Sequence, residues 1–160
     1  MRNLVAIVGL LVLAGCSQPP DFVDTNGVGH RYSDFDGRWR VINYWATWCA
    51  PCIHEIPELN DLGTDYAEKL VVLGVNFDGP VGEEAVKQVK RMKITFPVYA
   101  EDPAASLGVE TPQVLPTTFI FKPDGSLHET LIGPQTGATI LAAMGMAVPE
   151  EAAAEDTAAD

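Results

Sequence analysis

Positive charge is scarce in this chain: ten lysines and arginines stand against twenty-two aspartates and glutamates, for a formal net charge of −12. That balance argues against a nucleic-acid partner, which basic surfaces hold. Long apolar runs are also lacking. The opening one, Leu4 to Ala14, has eleven residues, about 16 Å as a helix and roughly half the hydrocarbon thickness of a bilayer, so a transmembrane anchor is the weaker reading. There are three cysteines and three histidines. No second C-x-x-C and no histidine pair stands at ligand spacing, which argues against a zinc site. No internal repeat is present.

What is there begins with a short positive segment, Met1-Arg2-Asn3. The apolar run follows, and Leu13-Ala14-Gly15-Cys16 closes it with small residues, the layout of a signal peptide over residues 1–15. Leu-Ala-Gly-Cys resembles the bacterial lipobox, in which the cysteine is lipidated and becomes the first mature residue. An ordinary secretory signal with an incidental cysteine is the alternative. Lipidation of Cys16 implies a protein of the cell envelope, anchored in a bacterial membrane and facing the periplasm or the exterior. Each buried CH₂ adds about 0.8 kcal/mol, and more than one chain gives stable anchoring.

Residues 16–21 then form a short polar tether, Cys16 to Asp21. The five residues after the cysteine reach about 17 Å at full extension. Without Arg2, nine basic residues face twenty-two acidic ones. Residues 22–148 have the size of one domain. Residues 149–160 form an alanine-rich acidic tail with Glu150, Glu151, Glu155, Asp156 and Asp160, read as a disordered solvated segment rather than a docking segment.

Within the domain, Phe22 to Tyr32 predicts a small hairpin turning near Thr25 to Gly29, and Asp36-Gly37 a further turn. Trp39 to Trp45 is rich in β-branched and aromatic residues, as a buried central strand is. Ile53, Ile56, Leu59, Leu62 and Tyr66 recur at helical spacing from about Pro51 to Glu68, with Pro57 expected to kink the helix. Leu70 to Phe77 reads as a strand buried on both faces and Glu83 to Met92 as a second helix. Phe96 to Tyr99 reads as a short strand and Asp102 to Leu107 as a helical turn. Thr118 to Phe121 and Leu127 to Ile132 form a hairpin around Pro123-Asp124-Gly125. Thr136 to Met146 gives the last helix. Strands alternating with helices and then a hairpin imply an α/β fold with a mixed sheet covered on both faces.

The chemistry centres on Trp45-Ala46-Thr47-Trp48-Cys49-Ala50-Pro51-Cys52, where a strand runs into a helix. Two thiols at this spacing can close a small disulfide ring, and a cysteine at a helix N-terminus has its thiolate stabilised by unpaired N–H groups and the helix dipole. Cys49 is expected to be the nucleophile and Cys52, inside the first turn, to lie beneath it and resolve the mixed disulfide. No cofactor is needed for such an exchange. Glu55 lies one helical turn beyond Cys52, where a carboxylate raises a thiol pKa or accepts its proton. The alternative is an exposed helix glutamate. Trp48 is expected to flank the site and Trp45 to sit in the core. His54 reads as an exposed helix histidine, and His30 and His128 have no evident partner.

Trp48-Cys49-Ala50-Pro51-Cys52, Pro57 five positions on, and Leu115-Pro116-Thr117-Thr118 before the last hairpin together resemble the thioredoxin superfamily, over essentially the whole domain. The N-terminal hairpin, the helix and strand inserted between about Glu83 and Tyr99, and the lipoprotein signal resemble its TlpA/ResA-like branch of membrane-tethered thiol-disulfide oxidoreductases. The resemblance implies a three-layer α/β/α domain with a central mixed sheet. It also implies a cis Pro116 that keeps stray metal from the dithiol, Leu115 presenting backbone to an extended substrate, and a tuning role for Glu55. A trans proline ending a loop is the alternative at Pro116. Asn43 stands where ordinary thioredoxins carry a buried acid, so that acid's proton relay does not transfer.

By the same resemblance the expected function is an extracytoplasmic reductase of protein disulfides, monomeric and recharged by a membrane thiol donor. Its clients are disulfide-bearing proteins such as apocytochrome c or copper-site proteins. A disulfide oxidase or isomerase, a peroxiredoxin-type peroxidase and a Cu(I)-binding thiol module remain as alternatives.

Overall fold

A computed structural model of the protein describes residues 19–148. The signal segment, Cys16 and the acidic tail from 149 to 160 lie outside the described residues. Among the described residues no helix is long and apolar enough to cross a membrane.

The sheet is built around β3, Trp39–Trp45, which is buried at every position after Trp39. Its β-branched and aromatic side chains suit a pleat covered on both sides. β3 runs parallel to β4, Leu70–Asn76, in a register from Trp39 opposite Leu70 to Trp45 opposite Asn76. On its other side it lies antiparallel to β5, Thr117–Phe121, which pairs antiparallel with the edge strand β6, Leu127–Ile132. The order is β4-β3-β5-β6, a mixed sheet. The β5–β6 turn closes through Lys122 N–H to the Ser126 carbonyl at 2.9 Å, with Gly125 at φ 88°, a conformation that favours glycine.

Side chains alternating along β3 divide the core in two. Val41 and Trp45 face α1, Ala50–Asp65, and α4, Gly137–Ala143, which contribute Cys52, Ile56, Leu59 and Leu62, and Ile140 and Leu141. Each such aliphatic side chain contributes about 1.5–3 kcal/mol when fully buried. Ile42 and Tyr44 face a second cluster with Phe35, Tyr99, Phe119 and Phe121. That face is covered by the hairpin β1, Phe22–Val23, and β2, Gly29–His30, by the 3-10 turn Tyr32–Phe35, and by partly buried Leu107. The inserted helix α2 spans Glu83–Arg91, and α3 spans Ala104–Leu107. The expected three layers are present, with the second one thin.

Some expectations change. α1 contains Pro57, as expected, but ends at Asp65, not Glu68. The Tyr66 carbonyl then accepts the N–H groups of Lys69 and Leu70 at 2.8 and 2.9 Å and turns the chain into β4. Phe96 to Tyr99 is no strand. Pro97 has no N–H for a ladder, and what remains is a parallel bridge of Val98 with Gly74 and an antiparallel bridge of Tyr99 with Asp24. These bridges fasten the hairpin to the edge of β4. Gly74 is required there, because a Cβ would lie 2.9 Å from the Phe96 ring and 3.0 Å from the Trp45 indole nitrogen. His30 and His128 do have partners. His30 Nε2 lies 3.1 Å from Asp24 Oδ2 with its ring stacked on Phe22, and His128 Nε2 lies 3.0 Å from the Ala143 carbonyl, edge-on to Trp39.

Candidate active site

β3 delivers the chain to the N-terminus of α1, where Cys49 is the capping residue in extended conformation. Its Sγ accepts the backbone N–H of Cys52 at 3.3 Å, so the sulfur occupies the place a capping oxygen takes elsewhere. Pro51 sits in the first turn, where its missing N–H costs nothing. Cys49 and Cys52 are joined in a disulfide with Cα atoms 5.3 Å apart. Cys49 is 4 % exposed and Cys52 fully buried. With the disulfide closed both cysteines are therefore buried, so the exposure expected of Cys49 from its position at the helix end is not seen in this oxidised form.

Glu55 follows one turn later and is buried, at 2 % exposure, which removes the alternative of an exposed helix glutamate. Its Oε1 accepts Asn43 Nδ2 at 2.7 Å, and its Oε2 accepts the Gln135 backbone N–H at 3.0 Å. Burial pushes the carboxyl pKa up from 4.5 to about 7, against the lowering effect of the Gln135 and Asn43 hydrogen bonds. Asn43 Nδ2 also donates to Thr118 Oγ1 at 3.0 Å, while its Oδ1 is buried with no partner among the described residues. A half-turn of this amide would offer Oδ1 to the proton of a neutral Glu55. Asn43, Glu55, Thr118 and Gln135 thus bring β3, α1, β5 and the entrance to α4 together around a carboxyl group that titrates near neutrality.

The Leu115–Pro116 peptide bond is cis, as the resemblance implies. Pro116 is buried, its carbonyl accepts Gly133 N–H at 2.9 Å, and Thr117 Oγ1 donates to the Val114 carbonyl at 2.8 Å. Gly133 and Gln135 lie two residues apart, so one short segment links the Pro116 loop to Glu55. Trp48 is exposed, at 64 %, and its indole Nε1 donates to the Asp78 carboxylate at 3.0 and 3.1 Å. Trp45 is fully buried, as expected, and His54 is exposed. Thr118, Gln135 and Asp78 were not legible as site residues. A polar Asn43 inside an apolar strand signals that something must meet it, but the residues that do lie 75 and 12 positions away in the chain.

Comparison with known proteins places this geometry. Residues 17–130 match the family described as AhpC/TSA. The thiol-disulfide oxidoreductase ResA of Geobacillus kaustophilus is 36 % identical over 126 residues, which cover 75 % of this chain and 70 % of that protein. A secreted thiol-disulfide isomerase from Corynebacterium glutamicum aligns with TM-score 0.66 and 26 % identity over 79 % of this chain and 82 % of its own. The exposed lipoprotein thioredoxin of Streptococcus pneumoniae shares the fold, with TM-score 0.65 and 23 % identity over 78 % of this chain and 96 % of its own. The chain therefore belongs to the AhpC/TSA family and is a thiol-disulfide oxidoreductase of thioredoxin fold related to ResA.

Proposed function

We propose that this oxidoreductase works outside the cytoplasm, held to a membrane by lipid on Cys16, and reduces disulfides of specific client proteins through Cys49 and Cys52. The observation that carries the reading is the disulfide at the start of α1 with a buried carboxyl group one turn behind it. In the dithiol form, the Cys49 thiolate attacks a client disulfide. A Cys49–client S–S bond forms, the client S–S bond breaks, and the displaced client sulfur leaves as a thiolate. Cys52 then attacks Cys49, closing the Cys49–Cys52 bond and releasing the client's second sulfur. Two electrons pass to the client. A membrane-bound dithiol donor returns them by the reverse exchange.

Cys52 is buried and must lose its proton to attack, and we assign that proton to Glu55, the buried carboxyl group one turn along α1. A carboxyl group with a pKa of about 7 is near the optimum for such a transfer at neutral pH. The same carboxylate, once ionised, disfavours a neighbouring thiolate by like-charge repulsion, which favours a reducing dithiol. Leu115 makes no backbone hydrogen bond among the described residues, so its N–H and carbonyl are available to an extended client strand. Pro51 and Trp48 frame the dithiol. Residues 1–15 as signal and 16–21 as tether, together with the names of the secreted and lipoprotein relatives, support an extracytoplasmic domain over residues 22–148. The acidic tail from 149 to 160 is left outside that domain, and a monomer fulfils the cycle.

The test is a Cys52→Ser trap expressed in the native envelope. Mixed disulfides between Cys49 and client proteins are expected, and Cys16→Ala is expected to release the protein from the membrane fraction. The reading is overturned if Cys49 captures no protein and cells carrying Cys49→Ser keep every disulfide-dependent function.

A further inference from the structure

Beside the dithiol, α1 and the end of the inserted helix enclose a groove of about 480 Å³. It starts at Thr47 and Ile53, two residues before Cys49 and one after Cys52. Ile56, Pro57 and Met92 line it further in, and Arg91 and Lys93 stand at its rim. Ile53 and Pro57 are exposed, so this apolar surface is open to solvent. The lining contains no carboxylate, in a chain whose acidic residues outnumber its basic ones by more than two to one. The acids of α1 lie elsewhere. Glu58, Asp61 and Asp65 line a different pocket with residues of α4, and Glu58 is fixed there by the Gly137 N–H at 3.1 Å. Arg91 and Lys93 are exposed and enter no ion pair among the described residues.

The groove is also preformed. Lys93 has φ 57°, a left-handed backbone that is unusual for a non-glycine residue. It is held there by Asn60 of α1, whose Nδ2 donates to the Lys93 carbonyl at 2.9 Å. Asn60 Oδ1 accepts both the backbone N–H and the hydroxyl of Thr95, each at 2.9 Å. These three bonds lock the turn that carries the cation to the helix that carries the dithiol. Such pre-organisation lowers the cost of binding.

We propose that this groove is a client subsite for an extended protein segment that carries, within a few residues of its cysteine, an apolar side chain followed by a carboxylate. The apolar side chain seats against Ile53, Ile56, Pro57 and Met92, and the carboxylate meets Arg91 and Lys93. The inference rests on the client-reducing reading and names what that site selects. It involves no electron transfer beyond the dithiol exchange already written.

The experiment uses the reduced protein and peptides closed by one internal Cys-x-x-Cys disulfide, identical except for the two residues after the second cysteine. Leu-Glu is expected to be reduced fastest. Leu-Lys should be slower by about fivefold at low salt, with the gap closing as salt rises, because exposed charges are screened. Gly-Glu should also be slower. In the double variant R91E/K93E the charge preference is expected to reverse, with Leu-Lys ahead of Leu-Glu. The ratio within each protein is read, so a general change in dithiol reactivity cancels. Equal rates for the three peptides, or a Glu-to-Lys ratio unchanged in R91E/K93E, overturn the groove while leaving the oxidoreductase intact. Failure of the reduced protein to pass electrons to any of the peptides overturns the reductase reading as well.

Discussion

Replacing Glu55 by Gln isolates the free energy tied to its proton. The carboxyl pKa rises from 4.5 to about 7 on folding, first because burial penalises the charged form. That displacement corresponds to about 3 kcal/mol. Below pH 4.5 the group is neutral in both folded and unfolded chains and costs nothing. Between 4.5 and 7 the unfolded chain ionises while the folded one keeps its proton, so stability falls as pH rises. Above 7 both forms are charged, and the full penalty of about 3 kcal/mol persists.

Glutamine never ionises. It keeps an oxygen for the Asn43 amide but turns an NH₂ toward the Gln135 N–H, or the reverse, and loses about 1 kcal/mol through that unmatched pair of donors. Glu55→Gln is therefore expected to be less stable than wild type by about 1 kcal/mol at pH 4.5, and more stable by about 2 kcal/mol at pH 8. Urea unfolding of the oxidised protein at pH 4.5, 6 and 8 measures both. Parallel pH dependences in the two proteins would refute the reasoning, because the buried carboxyl could not then be the group that titrates. In turnover, Glu55→Gln should flatten the pH profile of client reduction around neutrality without abolishing the exchange.

Asn43→Ala removes one of the two donors to Glu55, so the carboxyl titration, followed by its infrared band, should move above the wild-type midpoint of about 7. Gly74→Ala places a methyl 2.9 Å from the Phe96 ring, and overpacking of this kind costs about 1–3 kcal/mol, read as a lower Tm. Tyr44→Phe removes the 2.6 Å bond from the buried hydroxyl to Asp102, a loss of about 1.5–3 kcal/mol at neutral pH. Burial raises the Asp102 pKa, but bonds from Tyr44, Ala104 and Thr111 outweigh it and hold the carboxyl below 3.8. The stability this gives is present at neutral pH and lost on acidification, so Tyr44→Phe should also be less acid-sensitive than wild type, as urea unfolding at pH 3 and pH 7 would show.

How much of this was legible follows from the range of the interactions. The dithiol, the start of its helix, the central strand and the last hairpin are local patterns, and each appears where the sequence puts it. The short segment from Phe96 to Tyr99 was misread because Phe, Val and Tyr are strand-favouring residues, whereas Pro97 denies it the donors of a full ladder. The histidines were misread for the opposite reason. Asp24 and Ala143, which meet His30 and His128, lie six and fifteen residues away, and nothing local points to them.

Asn43 was the most informative residue that the sequence left unresolved. A buried amide in a central strand needs partners, because an unsatisfied polar group costs about 1–3 kcal/mol. The structure supplies the Glu55 carboxyl group and the Thr118 hydroxyl. The departure at Asn43 and the buried glutamate on the helix are therefore one arrangement. Placing a carboxylate at position 43 as well would set two acids within hydrogen-bonding distance in a site away from water, where both cannot ionise near neutrality. With the amide on the strand, the single proton resides on Glu55, one turn of α1 beyond Cys52.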